Sequence, residues 1–260
     1  MNSKYESEMN VATALARQAG EIMRRYADGD QRTITKTDGS PVTIADTQIN
    51  RLVIEELAKH FPDDGVVGEE ESTAEYGAGR RWICDPVDGT SAYTWGLPTS
   101  MFSLGLVIDG HPVLGVAYDP WTDRLYTAMK GEGSFCNGER LAVSTLGLTE
   151  GTVAVTSRVT SLLGGNPIVE AIAATGTGLA TFSGAVYKSA LVARGRFVGY
   201  VETGVKPHDM VAMQVIVEEA GGRITGLAGE PLDYSRPFSG AIVSNAVVHD
   251  ELVAAIERAV

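Results

Sequence analysis

An apolar segment that ends in two aspartates constrains the fold of this chain more than any other feature. The segment Trp82–Thr90 has the sequence W-I-C-D-P-V-D-G-T. Its apolar start predicts a buried strand that delivers Asp85 at its end, where binding groups collect in sheet proteins. Pro86 restricts the backbone, so Asp85 and Asp88 project from one tight turn. The pattern therefore predicts a sheet protein with paired carboxylates, which suit a hard divalent cation.

The composition argues against several classes of protein. The 260 residues are 44% hydrophobic and 21% charged, which is enough apolar material for one large domain or two joined halves. A net charge of −12 argues against nucleic acid or an anionic membrane as a partner, because both attract basic surfaces. The sequence shows no apolar run of membrane-helix length, no signal-peptide pattern and no cysteine spacing typical of disulfide or zinc sites. We therefore expect a cytoplasmic protein.

The predicted helices and strands divide the chain into two halves. Helices are predicted up to Tyr26 and over Pro41–His60, and short strands and a hairpin at Asp109-Gly110 follow them. The expected fold class is α/β, with an α+β half at residues 1–148 and an α/β half at residues 149–260. The predicted strands are Gly65–Gly68, Arg81–Cys84, Met101–Ile108, Pro112–Tyr118, Thr152–Thr156, Gly195–Val201, Gly222–Thr225 and Gly240–Val243. The predicted later helices are Ala185–Ala193, His208–Ala220 and Ala246–Ala259.

Further acidic residues lie outside the segment of the two aspartates. Glu69 and Glu70 end the preceding predicted strand, and a glutamate pair of this kind is usually solvated, although here it can reach the same cluster. Asp209 opens a predicted helix, where it suits an N-cap and a metal ligand equally well. Gly89 and Thr90 can offer backbone N–H groups to a phosphate. Together these residues predict a site for a divalent cation and a phosphate.

The order of these motifs resembles the inositol monophosphatase family of magnesium-dependent, lithium-sensitive phosphatases. The resemblance covers essentially the whole chain and implies a layered αβαβα sandwich, a homodimer and sensitivity to lithium. The motifs that carry it are G-E-E at 68–70, W-I-C-D-P-V-D-G-T at 82–90, P-H-D at 207–209, E-A-G-G at 219–222, and the segments 38–46 and 243–245.

The resemblance also implies roles for individual residues, with two or three Mg²⁺ ions per active site. Asp85 would bridge two ions, and Glu69 would help to hold a third through water. The implied ligands of the first ion are Glu69, Asp85 and the Val87 carbonyl, and those of the second are Asp85, Asp88 and Asp209. The implied catalytic residues are Glu69, Thr90 and Asp88, with Gly89 and Thr90 binding the phosphate. The implied substrate pocket contains Ser183, Gly184 and Ala185, and Glu202 binds a substrate hydroxyl.

The substrate remains open at this point. A small phosphorylated metabolite is expected, with myo-inositol monophosphate leading, histidinol phosphate and fructose 1,6-bisphosphate as alternatives, and adenosine 3′,5′-bisphosphate least favoured. A homologue that only binds metal or phosphate is a weaker interpretation, because Glu69 and Thr90 are both present. We expect His208 to be a surface residue beside the cluster and Lys188 to be an exposed helix residue, since lysine is seldom buried.

Overall fold

The structure is a computed structural model that describes residues 4–29, 33–35, 39, 41–155 and 165–259. Residues 38, 40 and 156, which fall within predicted or matching segments, lie outside the described residues. The helices are α1 (Glu6–Tyr26), α2 (Ile44–His60), α3 (Thr90–Thr94), α4 (Pro167–Ala173), α5 (Ala185–Ala193), α6 (Pro207–Glu219) and α7 (His249–Glu257). The strands are β1 (Ile34–Thr35), β2 (Pro41–Val42), β3 (Gly65–Gly68), β4 (Arg80–Asp88), β5 (Met101–Ile108), β6 (His111–Asp119), β7 (Arg124–Met129), β8 (Gly133–Cys136), β9 (Glu139–Arg140), β10 (Thr152–Val155), β11 (Gly178–Thr181), β12 (Gly199–Glu202), β13 (Arg223–Thr225) and β14 (Ala241–Ser244). Within these ranges, no helix combines the length and the apolar character that crossing a bilayer requires.

Helices and sheets alternate through the molecule. A sheet of strands in the order β3 to β9 carries α1 and α2 on one face and α6 on the other. A second sheet, in the order β11-β10-β12-β14-β13, contacts α5 and α6, while α4 packs against α7 and α7 contacts β14. The described residues thus form helix, sheet, helix, sheet and helix layers, which confirms the predicted αβαβα sandwich.

The two sheets differ in strand direction. In the first sheet β3 and β4 are parallel, and every later neighbouring pair of the described strands is antiparallel. In the second sheet β10 runs parallel to β11 and β12, and β14 runs antiparallel to β12 and β13. The largely antiparallel first sheet and the mixed second sheet match the expected fold class. A domain boundary at residue 148 stays a prediction.

The second helix begins later than the sequence suggested. The prediction of a helix from Pro41 was wrong, because Pro41-Val42 pairs with Ile34-Thr35 as a short strand. The Thr43 side chain then caps α2, and the Asp46 carboxylate accepts a hydrogen bond from the Thr43 N–H at 2.7 Å. This reciprocal capping box sets the start of the helix at Ile44 and fixes the Asp46 side chain in the first turn of α2.

α6 joins the two sheets. It is apolar on most of its circumference, as expected for a helix buried between two sheets. A Cβ at Gly115 would lie 2.3 Å from the Ala212 carbonyl oxygen, so β6 needs glycine where α6 approaches its backbone. The main hydrophobic core accordingly includes Ile83 of the first sheet and Val243 of the second. The first turn of α6 is therefore rigidly placed relative to both sheets.

A buried histidine connects α7 to the second sheet. His249 is fully buried, with Nδ1 2.8 Å from Ser244 Oγ and Nε2 3.0 Å from Thr225 Oγ1. Burial, followed by the charge of Arg223, lowers the pKa of His249 to about 4. The imidazole is therefore neutral at physiological pH and bonds to two hydroxyl groups.

We expect protonation of His249 to destabilise the fold in acid. The native pKa of about 4 lies below the reference value of 6.5, so the unfolded state takes up the proton first as the pH falls. The free energy of unfolding should therefore decrease between about pH 6.5 and pH 4. Urea unfolding of the wild type and of His249→Gln across this range isolates the contribution, because the variant lacks the titrating group. A difference between the two proteins that stays constant with pH would contradict the assignment.

Candidate active site

The end of β4 places two aspartates beside each other against β5. The strand predicted at Arg81–Cys84 continues to Asp88, with Asp85 opposite Ser103 and Asp88 opposite Met101. From Asp85 to Asp88, β4 advances by three residues, whereas the paired part of β5 advances by only two. The extra residue in β4 forms a β-bulge. Both carboxylates are buried, and Asp85 Oδ1 has no hydrogen-bond partner among the described residues. A buried carboxylate oxygen without a partner is costly, which fits the position of a metal ligand.

The Asp88 carboxylate is held by the first turn of α5. The Ala185 N–H donates to Asp88 Oδ1 at 2.9 Å, and the Val186 N–H donates to Oδ2 at 3.0 Å. These N–H groups have no partner within the helix, and the helix dipole favours a negative charge at this end. The contact brings the predicted pocket residues Gly184 and Ala185 directly beside Asp88.

The turn after β4 points toward α2. Gly89 has a φ of +76°, and a Cβ there would lie 3.0 Å from the Gly184 Cα, so both conformation and space require glycine. Thr90 Oγ1 lies 3.0 Å from the Val87 carbonyl oxygen and 3.4 Å from Asp46 Oδ1. The turn therefore brings the predicted phosphate-binding residues next to a carboxylate from a remote part of the chain.

Asp46 is a member of the site that was not predicted from the sequence. It belongs to the segment that carries the resemblance, yet its carboxylate is buried beside Thr90. Burial raises the pKa of Asp46 to about 7, although hydrogen bonds from Thr43 oppose the shift and the charge of Glu69 adds to it. The T-x-x-D capping box was the available signal, but capping alone does not indicate a place in a functional site.

Asp209 lies in the first turn of α6 and not at its N-cap. The helix begins at Pro207, whose fixed φ suits the first helical position. Asp209 is consequently the third residue, and its carboxylate accepts a hydrogen bond from the N–H of Lys206, which is the N-cap. The N-cap prediction was wrong by this shift, while the carboxylate still caps the helix.

The acidic side chains form three overlapping clusters among the described residues. In each cluster the oxygen or nitrogen atoms that could bind a metal lie within 4.8 Å of one another. The clusters are Asp85, Asp88 and Asp209; Glu69, Asp85 and His208; and Asp46, Glu69 and Glu70. His208 is buried, so its predicted surface position was wrong. Because Asp85 and Glu69 each belong to two clusters, ions in adjacent clusters could share a ligand.

Burial and mutual repulsion raise the pKa values of these carboxyl groups. Burial, followed by the charges of Glu69 and Asp88, raises the pKa of Asp85 well above its usual range. Burial and then the charge of Asp209 raise the pKa of Asp88 to about 8, and burial also raises that of Asp209. A bound divalent cation would reverse the local balance of charge.

A pocket of about 250 Å³ opens above the clusters. Its lining contains most of the site residues predicted from the sequence: Glu69, Asp88, Gly89, Thr90, Ser183, Gly184, Ala185, Glu202 and Asp209. Asp85 and Val87 are buried and do not line it. Lys188, Tyr200, Lys206 and His208 also line the pocket.

Lys188 is buried in this pocket, so the prediction of an exposed lysine was wrong. Its Nζ lies 3.6 Å from Glu202 Oε2 and 4.4 Å from the centre of the Tyr200 ring. Burial lowers the pKa of Lys188, while Glu202 and Asp88 oppose the shift. The carboxylate and the aromatic face compensate the buried ammonium, and neither partner is a sequence neighbour.

Comparisons with known proteins agree with this geometry. The model of the inositol monophosphatase family matches residues 4–260. The fructose-1,6-bisphosphatase/inositol-1-monophosphatase of Thermotoga maritima is 34% identical over 220 residues, which are 84% of this chain and 83% of that protein. The histidinol-phosphatase of Chlorobaculum parvum is 35% identical over 218 residues, which are 83% of this chain and 84% of that protein.

Solved structures show the same fold. An inositol monophosphatase from Thermotoga maritima superimposes with a TM-score of 0.87 at 29% identity, over 97% of this chain and 98% of that one. The relatives carry names for different substrates, so they identify the class of enzyme and not the compound. The chain is a phosphatase and belongs to the inositol monophosphatase family.

Proposed function

We propose that the pocket hydrolyses the phosphate ester of a small neutral polyol, with myo-inositol monophosphate as the leading substrate. The observation that carries the proposal is the convergence on one pocket of carboxylates from three distant parts of the chain. Beneath them, the buried Asp85 Oδ1 lacks a partner among the described residues. Oxygen ligands of this kind suit Mg²⁺, which retains open positions for water and phosphate.

The donor set fits two or three magnesium ions. One ion would be held by Glu69, Asp85 and the Val87 carbonyl, and a second by Asp85, Asp88 and Asp209. A third, more weakly held ion would be bound by Glu69 through water. When bound, the ions supply an activated water and neutralise charge on the phosphate and on the leaving oxygen.

The residues around Thr90 would position the water and the phosphate. Glu69 and the Thr90 hydroxyl orient the attacking water, while Asp46, 3.4 Å from that hydroxyl, holds the Thr90 side chain in place. The N–H groups of Gly89 and Thr90 donate to phosphate oxygens, as donors for a developing negative charge. The N–H groups at the start of α5 fix the Asp88 carboxylate, so the lone pairs that they do not use keep a constant orientation relative to the phosphate.

Other pocket residues favour a hydroxylated leaving group over a cationic one. Glu202 is paired with Lys188, so the two side chains together carry no net charge. Glu202 can accept hydrogen bonds from sugar or inositol hydroxyls, and its pairing with Lys188 removes the net negative charge that would attract the ammonium of histidinol phosphate.

Family membership supports three further proposals. Lithium would inhibit the enzyme, the active form would be a homodimer, and the protein would act in the cytoplasm. Inhibition assays and a measured solution mass would test the first two.

Magnesium-dependent phosphate release tests the function directly. We expect turnover of myo-inositol 1-phosphate to exceed that of histidinol phosphate, fructose 1,6-bisphosphate and adenosine 3′,5′-bisphosphate. Asp85→Asn should reduce the rate by roughly 10³-fold or more, because metal ions contribute several kcal/mol to transition-state stabilisation. The control is Asp63→Asn, which alters an exposed aspartate. Equal rates for the two variants would contradict the proposed metal site.

We expect Asp85→Asn to stabilise the protein when no metal is present. Each raised carboxyl pKa means that the native state retains protons that the unfolded state releases, so metal-free stability falls as the pH rises from about 4 to 8. The Asp85→Asn substitution removes one of these carboxyl groups. At pH 8 and with chelator present, the melting temperature of the variant should therefore exceed that of the wild type by about 2–4 °C. Mg²⁺ should then stabilise the wild type and leave the variant nearly unchanged. A variant that melts below the wild type in chelator would refute this electrostatic account.

Lys188→Met should change the choice of substrate. Without the ammonium, Glu202 is unpaired, so the ratio of kcat/KM for inositol phosphate to that for histidinol phosphate should fall by roughly tenfold. Lys130→Met, at an exposed lysine, is the matched control. Lys188→Met/Glu202→Gln removes both charges and shows whether an unpaired Glu202 causes the change. A ratio that is the same in wild type and Lys188→Met would reject a role in selectivity.

A further inference from the structure

A second cavity, away from the carboxylate clusters, is lined by four arginines. It has a volume of about 470 Å³ and lies between strands of the first sheet and the residues that end α5. Arg124 begins β7, Arg140 ends β9, and Arg194 and Arg196 lie at and just beyond the end of α5. Among the lining residues in the described part of the chain, Glu139 alone is acidic.

The positive charge of this cavity is poorly compensated. Arg124 lies 3.8 Å from Asp119. Within the described ranges, no ion pair or side-chain hydrogen bond of Arg140, Arg194 or Arg196 is found. The chain has 33 acidic and 21 basic residues, so an arginine in this protein would ordinarily have carboxylates nearby. Glu139 in the lining and Asp119 beside Arg124 offset part of this charge, and the remaining guanidinium groups repel one another unless an anion lies between them.

The arginines face a common space. Burial raises the pKa of the Cys136 thiol, and the charges of Arg194 and Arg124 oppose this shift, which places both guanidinium groups near the same sulfur atom. The Arg140 guanidinium carbon lies 3.2 Å from the position of a Cβ on Gly133, so it packs directly over the backbone of β8. Arg124, Arg140 and Arg194 thus all lie near β8.

The cavity is separate from the catalytic pocket. The N-terminal turn of α5 binds Asp88, whereas Arg194 follows the last residue of the same helix. Nine residues of helix rise about 13 Å, which is the separation along α5. The two lining sets share no residue.

We propose that this cavity binds a small phosphorylated anion at a second, non-catalytic site. Arginine presents a planar set of donors that matches phosphate oxygens in pairs, and several arginines can contact adjacent phosphate groups. The volume is that of a small-molecule pocket, and its concave shape suits a compact ligand better than the surface of a macromolecule.

Titration with inorganic pyrophosphate tests the site. Calorimetry on the full chain, with magnesium and after its removal, should detect binding that is weakened at least roughly tenfold in Arg140→Ala/Arg194→Ala. The control is Arg25→Ala/Arg258→Ala, which removes the same charge from exposed positions and should leave the affinity within about twofold of the wild type.

Folding and location are checked in the same experiment. Both double variants should keep the wild-type melting temperature and magnesium-dependent phosphatase activity, because neither alters the catalytic pocket. Equal weakening by the two double variants would mean non-specific attraction and overturn the proposal. Loss of binding in Asp85→Asn, with none in Arg140→Ala/Arg194→Ala, would place the pyrophosphate in the catalytic pocket and overturn it as well.

Discussion

Carboxylates that are removed from water and crowded together govern the physics of this protein. Asp85 and Asp88 are 2% and 3% exposed, and their charged forms are costly in such surroundings. Backbone N–H groups compensate part of the cost, since α5 binds both oxygens of Asp88 and the N–H of Lys206 binds Asp209. Asp85 Oδ1 is left without a partner among the described residues. A divalent cation bound at the proposed site would supply the missing charge, and stability and function would then be coupled through the same atoms.

The same contacts explain why the site lies between the two sheets. Asp88 ends a strand of the first sheet, while the N–H groups that bind it begin a helix that contacts the second. Asp209 lies in the first turn of α6, whose backbone packs against Gly115 in the first sheet. Each helix start is therefore fixed by packing along the rest of that helix. Two of the three clusters, the one with His208 and the one with Asp209, therefore combine side chains from both halves of the chain.

The sequence predicted the bounds of helices and strands better than the burial and contacts of individual side chains. α5, β3 and β5 have the expected bounds, because their apolar patterns and turn residues are local signals. α4 was not predicted, although Asn166 and Pro167 form a recognisable cap and first position. The predictions for His208 and Lys188 were wrong because they relied on the average exposure of each residue type. That average does not show which segments of the folded chain cover a particular side chain. Asp46 was left without a role for the same reason.

The sequence by itself determined the family, the layered fold class and which carboxylates were candidates for the site. Those inferences depend on motifs and periodicities that extend over a few residues. Only the tertiary structure decided that Asp88 meets Ala185, 97 residues away, that Lys188 pairs with Glu202, and that arginines from both halves line one cavity. Burial and electrostatic interaction depend on distance in space, and the packing of α5 and α6 between the sheets sets those distances.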